Sequence, residues 1–391
     1  MVRVLHVISS VHPRYGGPST AIGELASMMR TQVDIRCSLV IGAAHDDEAI
    51  AVERLESLFE AVVRCRRPQM DLFGFSPTYT RRVGKLIAEA DVVHVHSMWN
   101  WACYWGARQA TAARKPVLLR TASSMDRFDL QKKAEAKKLL GPMFLKSLFS
   151  SPNLVHCTST REAVNLETYG GDAKRIVIPL PVQGGAEVLP AERIAARLKL
   201  GLAPDADVVL FMSRIDYKKG LELLLPALDR LLAKNSRLHF LLAGRGDPRF
   251  EQKFEQWFGQ SRIKTCTTRL GFVEGTQKRT ALCASDVFVL PSMNENFGIS
   301  VVEALLAGIP AVISRGVYIS DDLDSSEAVA VAPRAEEALS DAIDGLLLRV
   351  RANPELRAKA RNLATGLYSP EVLADKYAAI YRRLAAQDSA K

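Results

Sequence analysis

Val287-Phe288-Val289-Leu290-Pro291-Ser292-Met293-Asn294-Glu295-Asn296-Phe297-Gly298-Ile299-Ser300 consists of four unbroken apolar residues, a polar loop punctuated by Pro291 and Gly298, and the start of a helical pattern. That pattern runs from about Ile299 through Ala307 to Gly308-Ile309-Pro310. A short apolar run of this kind suits a strand buried on both faces, as parallel sheets require. The order strand, loop, helix then predicts a unit of an open α/β sheet, whose ligands bind beyond the carboxyl ends of the strands.

The same order opens each half of the chain. Residues 2–8 form an apolar run followed by Gly16-Gly17-Pro18 and a helical pattern over 21–29, with Pro18 suited to an early helical position. Residues 208–212 are followed by the basic loop 213–220 and a Leu-rich helix through Leu232. Further apolar runs at 92–95, 117–119, 176–178, 240–243 and 311–313 alternate with helical stretches. The fold class predicted is α/β with parallel sheets and helices on both faces. Pro179, Pro181, Gly184 and Gly185 break periodicity before a helical stretch at Ala191, which places a hinge at 179–190. The stretch 370–384, with Val372, Tyr377, Ile380 and Tyr381 at helical spacing, predicts a final helix.

At 391 residues the chain has room for two full-sized domains. Hydrophobic residues at 48% and charged residues at 24% argue against disorder and fibrous architectures. No apolar stretch reaches the eighteen or so residues of a membrane-spanning helix, and the run at 2–8 is too short for a signal sequence. The six cysteines (37, 65, 103, 157, 266 and 283) are scattered, which suits a reducing cytoplasm and indicates neither a disulfide framework nor a zinc cage. A net charge of +9 favours an anionic partner without choosing among nucleotide phosphate, acidic membrane and nucleic acid.

The chemistry concentrates in the second half. Gly298 before a helix N-terminus lets backbone amides approach an anion, and the helix dipole favours negative charge there. Glu295 and Glu303 are eight positions apart, one in the entry loop and one about a turn inside the helix, so both carboxylates can accept hydrogen bonds from a hydroxyl-rich ligand. Arg214 follows the strand 208–212 and Lys219 lies five positions later, before Gly220. Two cations at a strand's carboxyl end can neutralise a diphosphate as it leaves.

These motifs closely resemble family four of the retaining GT-B glycosyltransferases. Residues 291–310 are similar to its Glu-x7-Glu signature, and Arg214 with Lys219-Gly220 to its basic pair. The similarity extends over Gly16-Gly17-Pro18, residues 91–96, residues 157–162 and the final helix. It implies a GT-B fold of two facing Rossmann-like domains: an acceptor-binding domain at 1–184, a nucleotide-sugar domain at 185–368, and a helix at 369–391 crossing back to the first. It also implies roles. Arg214 and Lys219 would contact the diphosphate, Glu295 the donor sugar's hydroxyls and Glu303 the ribose. Asn296, Phe297, Gly298 and Ile299 would present backbone near sugar and phosphates, with Gly271-Phe272-Val273 near the base and Gly16-Gly17 as a ligand-facing loop. The family generally needs no metal, and its retention is explained by front-face attack in which the departing phosphate helps take the acceptor's proton. The chain departs from the pattern in two places. Residues 121–125 replace a His-Gly pair, leaving Ala122 where the histidine is expected, and Ile178-Pro179-Leu180-Pro181-Val182 lacks the usual Asn-Gly.

The expectation is therefore a metal-independent hexosyltransferase. It would use a UDP- or GDP-linked sugar and a glycan or lipid-linked acceptor, in surface polysaccharide or glycolipid assembly. The alternative is a nucleotide-sugar-binding protein of the same fold that does not catalyse. A dehydrogenase is disfavoured by the missing Gly-x-Gly-x-x-Gly fingerprint, and no motif supports nucleic-acid binding. His94 and His96 share one strand face and suit core histidines better than catalytic ones. The aromatic stretch 98–105 reads as core before sugar platform. The basic segment 132–146 suits either an anionic membrane surface or a solvated helix face, so the expected location is the cytoplasm with peripheral contact at its membrane. Asp321-Asp322-Leu323-Asp324 reads as a loop or helix start rather than a metal motif.

Overall fold

The apolar run Val2–Ile8 forms strand β1, and its side chains alternate between two cores. Val4 and Ile8 enter one; Leu5 and Val7 enter the other. This is the period-two pattern of a strand covered on both faces. The computed structural model describes residues 1–12, 17–45, 48–66, 75–122, 148–149, 153–170 and 173–389. Gly16, residues 123–125 and the basic segment 132–146 lie outside them. The chain divides into two units, Met1–Pro181 with Pro370–Lys391, and Val182–Ser369.

In the first unit the described strands are β1, β2 (Ile35–Ala44), β3 (Ala61–Arg66), β4 (Val92–His96), β5 (Val117–Arg120), β6 (Leu154–Cys157) and β7 (Arg175–Val177). They pair in parallel in the order β3-β2-β1-β4-β5-β6-β7, so the strand order reverses direction between β1 and β4. Helix Gly17–Met29 and the final helix Pro370–Ser389 cover one face of the sheet. Helices Pro77–Glu89 and Trp101–Ala112 lie in the core of the other. On the final helix Leu373, Tyr377, Tyr381 and Leu384 are buried, whereas Val372, assigned to the buried stripe from sequence, is 36% exposed. Leu373 takes that place, since a helix carries its stripe in steps of three and four.

The second unit holds β8 (Asp207–Met212), β9 (Leu238–Ala243), β10 (Thr267–Gly271), β11 (Val287–Leu290), β12 (Ala311–Ser314) and β13 (Val329–Ala332), parallel in the order β10-β9-β8-β11-β12-β13. Here the reversal falls between β8 and β11. Every side chain of β8, β11 and β12 is buried, as expected where helices cover both faces. Asp286, just before β11, ties the sheet together. It accepts from Val208 N–H at 2.9 Å, from Arg197 at 2.6 Å and from Arg357 at 2.7 Å, with Arg193 at 3.6 Å. Among the described residues no helix is long and apolar enough to cross a membrane.

Candidate functional site

The switch point between β8 and β11 gathers the residues singled out after each strand. Beyond β8, Ser213 to Asp216 lead into the short turn Tyr217–Lys219, whose Asp216 carboxylate accepts from Lys218 N–H at 3.0 Å. Gly220 follows at φ +76°, a left-handed conformation that only glycine takes without strain. A Cβ there would stand 2.2 Å from the Pro291 carbonyl oxygen, so the two loops can approach only because this residue lacks one.

The loop after β11 is held from three sides. Met293 N–H donates to the Lys218 carbonyl at 2.7 Å, and Glu295 N–H to the Gly316 carbonyl at 2.8 Å. Arg334 donates through Nε to the Pro291 carbonyl at 3.1 Å and through Nη2 to Glu222 at 2.9 Å. At the loop's end Gly298, at φ +80°, precedes helix Ile299–Leu306. Its N–H donates to Glu295 Oε1 at 3.3 Å.

Lys219 and Glu295, separated by 76 residues, form an ion pair. Lys219 is buried and Glu295 half-buried at 23% side-chain exposure. Burial pushes the Glu295 carboxyl up, but the Lys219 ammonium, the Arg214 charge and the Phe297 N–H outweigh it and hold the group below the ordinary carboxylate value. Glu295 is therefore ionised near neutrality and can only accept hydrogen bonds. Arg214 is exposed and makes no ion pair among the described residues, so its guanidinium faces solvent at the carboxyl end of β8.

Glu303 has a separate partner. Lys278, from helix Gly275–Ala284, reaches it at 2.6 Å. The two carboxylates of the signature are thus each matched to a different lysine, and Lys278 was not singled out from sequence because nothing in its own neighbourhood marks it. Phe297 contributes no side chain to a ligand: it is buried and packs edge-on against Tyr368 at 5.4 Å. Asn296 is also buried, and Ile299 begins the helix. Gly271 ends β10 at φ +67°, with Phe272 beyond it 54% exposed and Val273 in the following turn.

Sequence reading passed over Gly244-Arg245-Gly246, directly after β9. A Cβ on either glycine would lie 1.9 Å from a carbonyl, of Ser213 for Gly244 and of Ile215 for Gly246. The β8 and β9 loops can touch only because both are glycines. They border a cavity of about 320 Å³ lined by Ile215, Gly244, Arg245, Glu251, Arg269 and Gly271. A Gly-x-Gly after an apolar run was the available signal.

Gly17 lies in the other unit, at the first residue of helix Gly17–Met29, and is exposed. His94 and His96 are fully buried on one face of β4, as a core reading expects. Trp101 and Trp105 stack at 5.2 Å against the core around helix Trp101–Ala112. Ala122 lies two residues beyond β5, at φ +49°. Asp321 and Asp322 start helix Ser320–Leu323, where Arg315 lies 3.8 Å from Asp321 and 2.9 Å from Asp324.

Two family models match. "Glycosyl transferases group 1" covers residues 192–365, and "Glycosyl transferase 4-like domain" covers residues 16–181. Among relatives, the D-inositol 3-phosphate glycosyltransferase of Geodermatophilus obscurus is 31% identical over 61% of this chain and 54% of its own length. The phosphatidyl-myo-inositol mannosyltransferase of Mycolicibacterium smegmatis is 28% identical over 61% of this chain and 58% of its own. The match spans little more than half of either relative. Among solved structures, Anabaena Alr3699/HepE in complex with UDP-glucose superposes with a TM-score of 0.78 at 17% identity, over 98% of this chain and 100% of that one, a likeness of fold.

Proposed function

Because the chain belongs to family four of the GT-B glycosyltransferases, we propose that it moves a sugar from a nucleoside diphosphate onto a hydroxyl of a glycan or lipid-linked acceptor, with retention and without a metal ion. The observation that carries this reading is the Lys219–Glu295 pair, held at the switch point of the second unit with the exposed Arg214 near enough to act on Glu295. In the step proposed, the bond from the anomeric carbon to the diphosphate oxygen breaks. The acceptor oxygen bonds to the same face of that carbon, and its proton passes to the departing phosphate. Lys219 and Arg214 stabilise the charge that develops on the leaving diphosphate, and Lys219, buried and held by Glu295, needs no reorganisation as the bond breaks. Glu295 accepts from donor-sugar hydroxyls and Glu303 from the ribose. Backbone N–H groups at the start of helix Ile299–Leu306 face the phosphates.

A UDP-linked donor is favoured by likeness to a protein solved with UDP-glucose. The names of the relatives suggest an acceptor carrying an inositol-like polyol or a lipid. A donor panel of UDP- and GDP-sugars, read by thermal shift and by transfer, tests the proposal. One donor should raise the melting temperature and support turnover. Glu295→Ala and Lys219→Ala should each lower kcat/KM by roughly a hundredfold or more with the fold intact, and wild-type turnover in both would refute the assignment. A second reading, binding without catalysis, is favoured by Ala122 at the position of the family's histidine. It predicts a bound donor with neither transfer nor slow hydrolysis.

A further inference from the structure

In the first unit the strand order reverses between β1 and β4, and the carboxyl ends of these strands and their neighbours carry an unusual set of side chains. His96 ends β4 and Arg120 ends β5, paired in register; Arg120 is in turn in register with His156 of β6. Two residues earlier, His94 stands in register with His6 of β1. Residues in register, or two apart along a strand, share a sheet face, so all five side chains lie together.

The rings are close: His94 to His96 at 4.1 Å, His6 to His96 at 5.2 Å and His94 to His156 at 5.5 Å between centroids. From the final helix, Tyr381 hydroxyl meets His94 Nδ1 at 2.8 Å and Tyr377 hydroxyl meets His156 Nε2 at 3.2 Å. All five residues are at most 1% exposed. Yet among the described residues Arg120 Nε and Nη1, His6 Nε2, His94 Nε2, His96 Nδ1 and His156 Nδ1 have no hydrogen-bond partner. A buried guanidinium without a counter-charge is among the most unfavourable arrangements in a protein interior. The carboxylate sensed by Arg120, that of Glu162, is engaged by Thr121 Oγ1 at 2.6 Å and Thr158 N–H at 2.7 Å and forms no ion pair with it. The strand ends beside the cluster are strained as well: Ser97 has φ +101° and Ala122 φ +49°.

We infer that Arg120, with His96 beside it, is an oxyanion-binding site at the switch point of the first unit, taking a ligand of the phosphate or carboxylate class. Arg120 supplies the charge and the directed fork, and neutral His96 supplies Nδ1–H in the tautomer whose Nε2 accepts from His6 Nδ1–H at 2.9 Å, whereas His156 gives its one N–H, on Nε2, to the Ile178 carbonyl at 2.8 Å. A metal ion is a poorer fit. The ligand-type atoms of His6, His94 and His96 lie within 4.8 Å of one another, but His6 Nδ1 and His96 Nε2 already hydrogen-bond at 2.9 Å, and the fixed Arg120 charge repels a cation. The anion could be free phosphate or an acidic group on an acceptor. The inference does not depend on the glycosyl-transfer reading, because these residues belong to the other unit from Lys219 and Glu295.

The test is calorimetric titration of the full chain with inorganic phosphate, glucose 6-phosphate and glucose at about pH 7.5 and fixed ionic strength, where the imidazoles are neutral. Imidazole nitrogen resonances are followed by NMR in parallel. Phosphate should bind the wild type and shift His96. Arg120→Met, similar in length but uncharged, should bind at least about tenfold more weakly. Arg120→Lys, which keeps a charge in place, should retain binding and covers the case in which the methionine variant fails to fold. Tighter binding of glucose 6-phosphate than of phosphate assigns the anion to a sugar-borne group, and equal binding assigns it to free phosphate; either supports the site. No histidine shift in the wild type, or equal affinity in Arg120→Met, overturns it.

Discussion

Acidification from pH 7 to pH 5 should destabilise the first unit through its four buried histidines. Burial, with Arg120 as a further cause, pushes His6 down to about 3. Burial likewise pushes His156 down to about 4 against the Ile178 carbonyl, and holds His94 and His96 well below the ordinary imidazole value. In the folded unit these rings stay neutral at pH 5, while in the unfolded chain they titrate near 6.5 and take up protons. The unfolded state thus binds more protons, and stability falls as pH falls from about 6.5 toward the folded-state values. Between pH 7 and 5 each such ring costs about 2 kcal/mol, so His6 and His156 together cost about 4 and all four about 8, comparable to the whole stability of a typical domain. Among the described residues, the groups facing the cluster are Arg120 of β5, Tyr377 and Tyr381 of the final helix, Cys103 and Glu162, and Glu162 is engaged by Thr121 and Thr158. Carboxylates titrate lower. Asp34, held down to about 2 mainly by its hydrogen bond from Arg382, loses its contribution only below about pH 4. Urea unfolding followed by tryptophan fluorescence is the assay, since Trp99, Trp101 and Trp105 all lie in this unit. A His6→Gln, His156→Gln double variant should show about half the pH dependence, on the same four-ring count. Equal unfolding free energies at pH 7 and 5, or an unchanged slope in the double variant, would refute the reasoning.

Asp286→Asn should destabilise the second unit by about 3 kcal/mol or more in chemical denaturation, because Arg193, Arg197 and Arg357 would be left together without their shared carboxylate. Gly220→Ala should cost at least about 2 kcal/mol and lower donor affinity, since a Cβ at φ +76° meets the Pro291 carbonyl; calorimetric melting and donor titration read the two effects. Lys278→Ala should weaken nucleotide binding while sparing stability, because the Lys278–Glu303 pair is partly exposed and its loss frees Glu303 to change rotamer; unchanged nucleotide affinity would separate Glu303 from the ribose. Phe297→Ala should cost about 3 kcal/mol, as expected for a buried ring packed on Tyr368, with the loss read by urea midpoint.

The architecture was legible in local pattern where a strand is a largely apolar run set off by turn residues. Val287–Leu290 read as a strand with the ends it has in space because it is an unbroken apolar run that ends in turn residues, and Val2–Ile8 because only Arg3 and His6 interrupt its apolar residues. Five of the described strands were passed over. Leu154–Cys157 and Val329–Ala332 are four residues each, too short to mark an element alone, and Ile35–Ala44 is interrupted by Arg36, Ser38 and Gly42. Ala61–Arg66 carries Arg64 at mid-strand, and Thr267–Gly271 is an edge strand whose side chains are half-buried or exposed. Where one side of a strand is partly wet, its composition resembles that of a loop.

For the candidate site, the sequence supplied Glu295, Glu303, Arg214, Lys219 and Gly298, because each stands at a strand end or helix start and such positions are marked by local chemistry. Only the tertiary structure decided how they pair. Lys219 meets Glu295 across 76 residues, Lys278 claims Glu303 from another helix, and Arg334 binds the Pro291 loop to Glu222 across 112 residues in the last case. The histidine and arginine cluster follows the same rule. The sequence marked only His94 and His96, as a pair on one strand face, and they become a set with His6, Arg120 and His156 only when parallel register brings β1, β4, β5 and β6 side by side and the final helix closes over them. Strand and helix identity is encoded over a few residues by periodicity and turn chemistry, whereas charge pairing depends on a through-space separation that no local pattern contains.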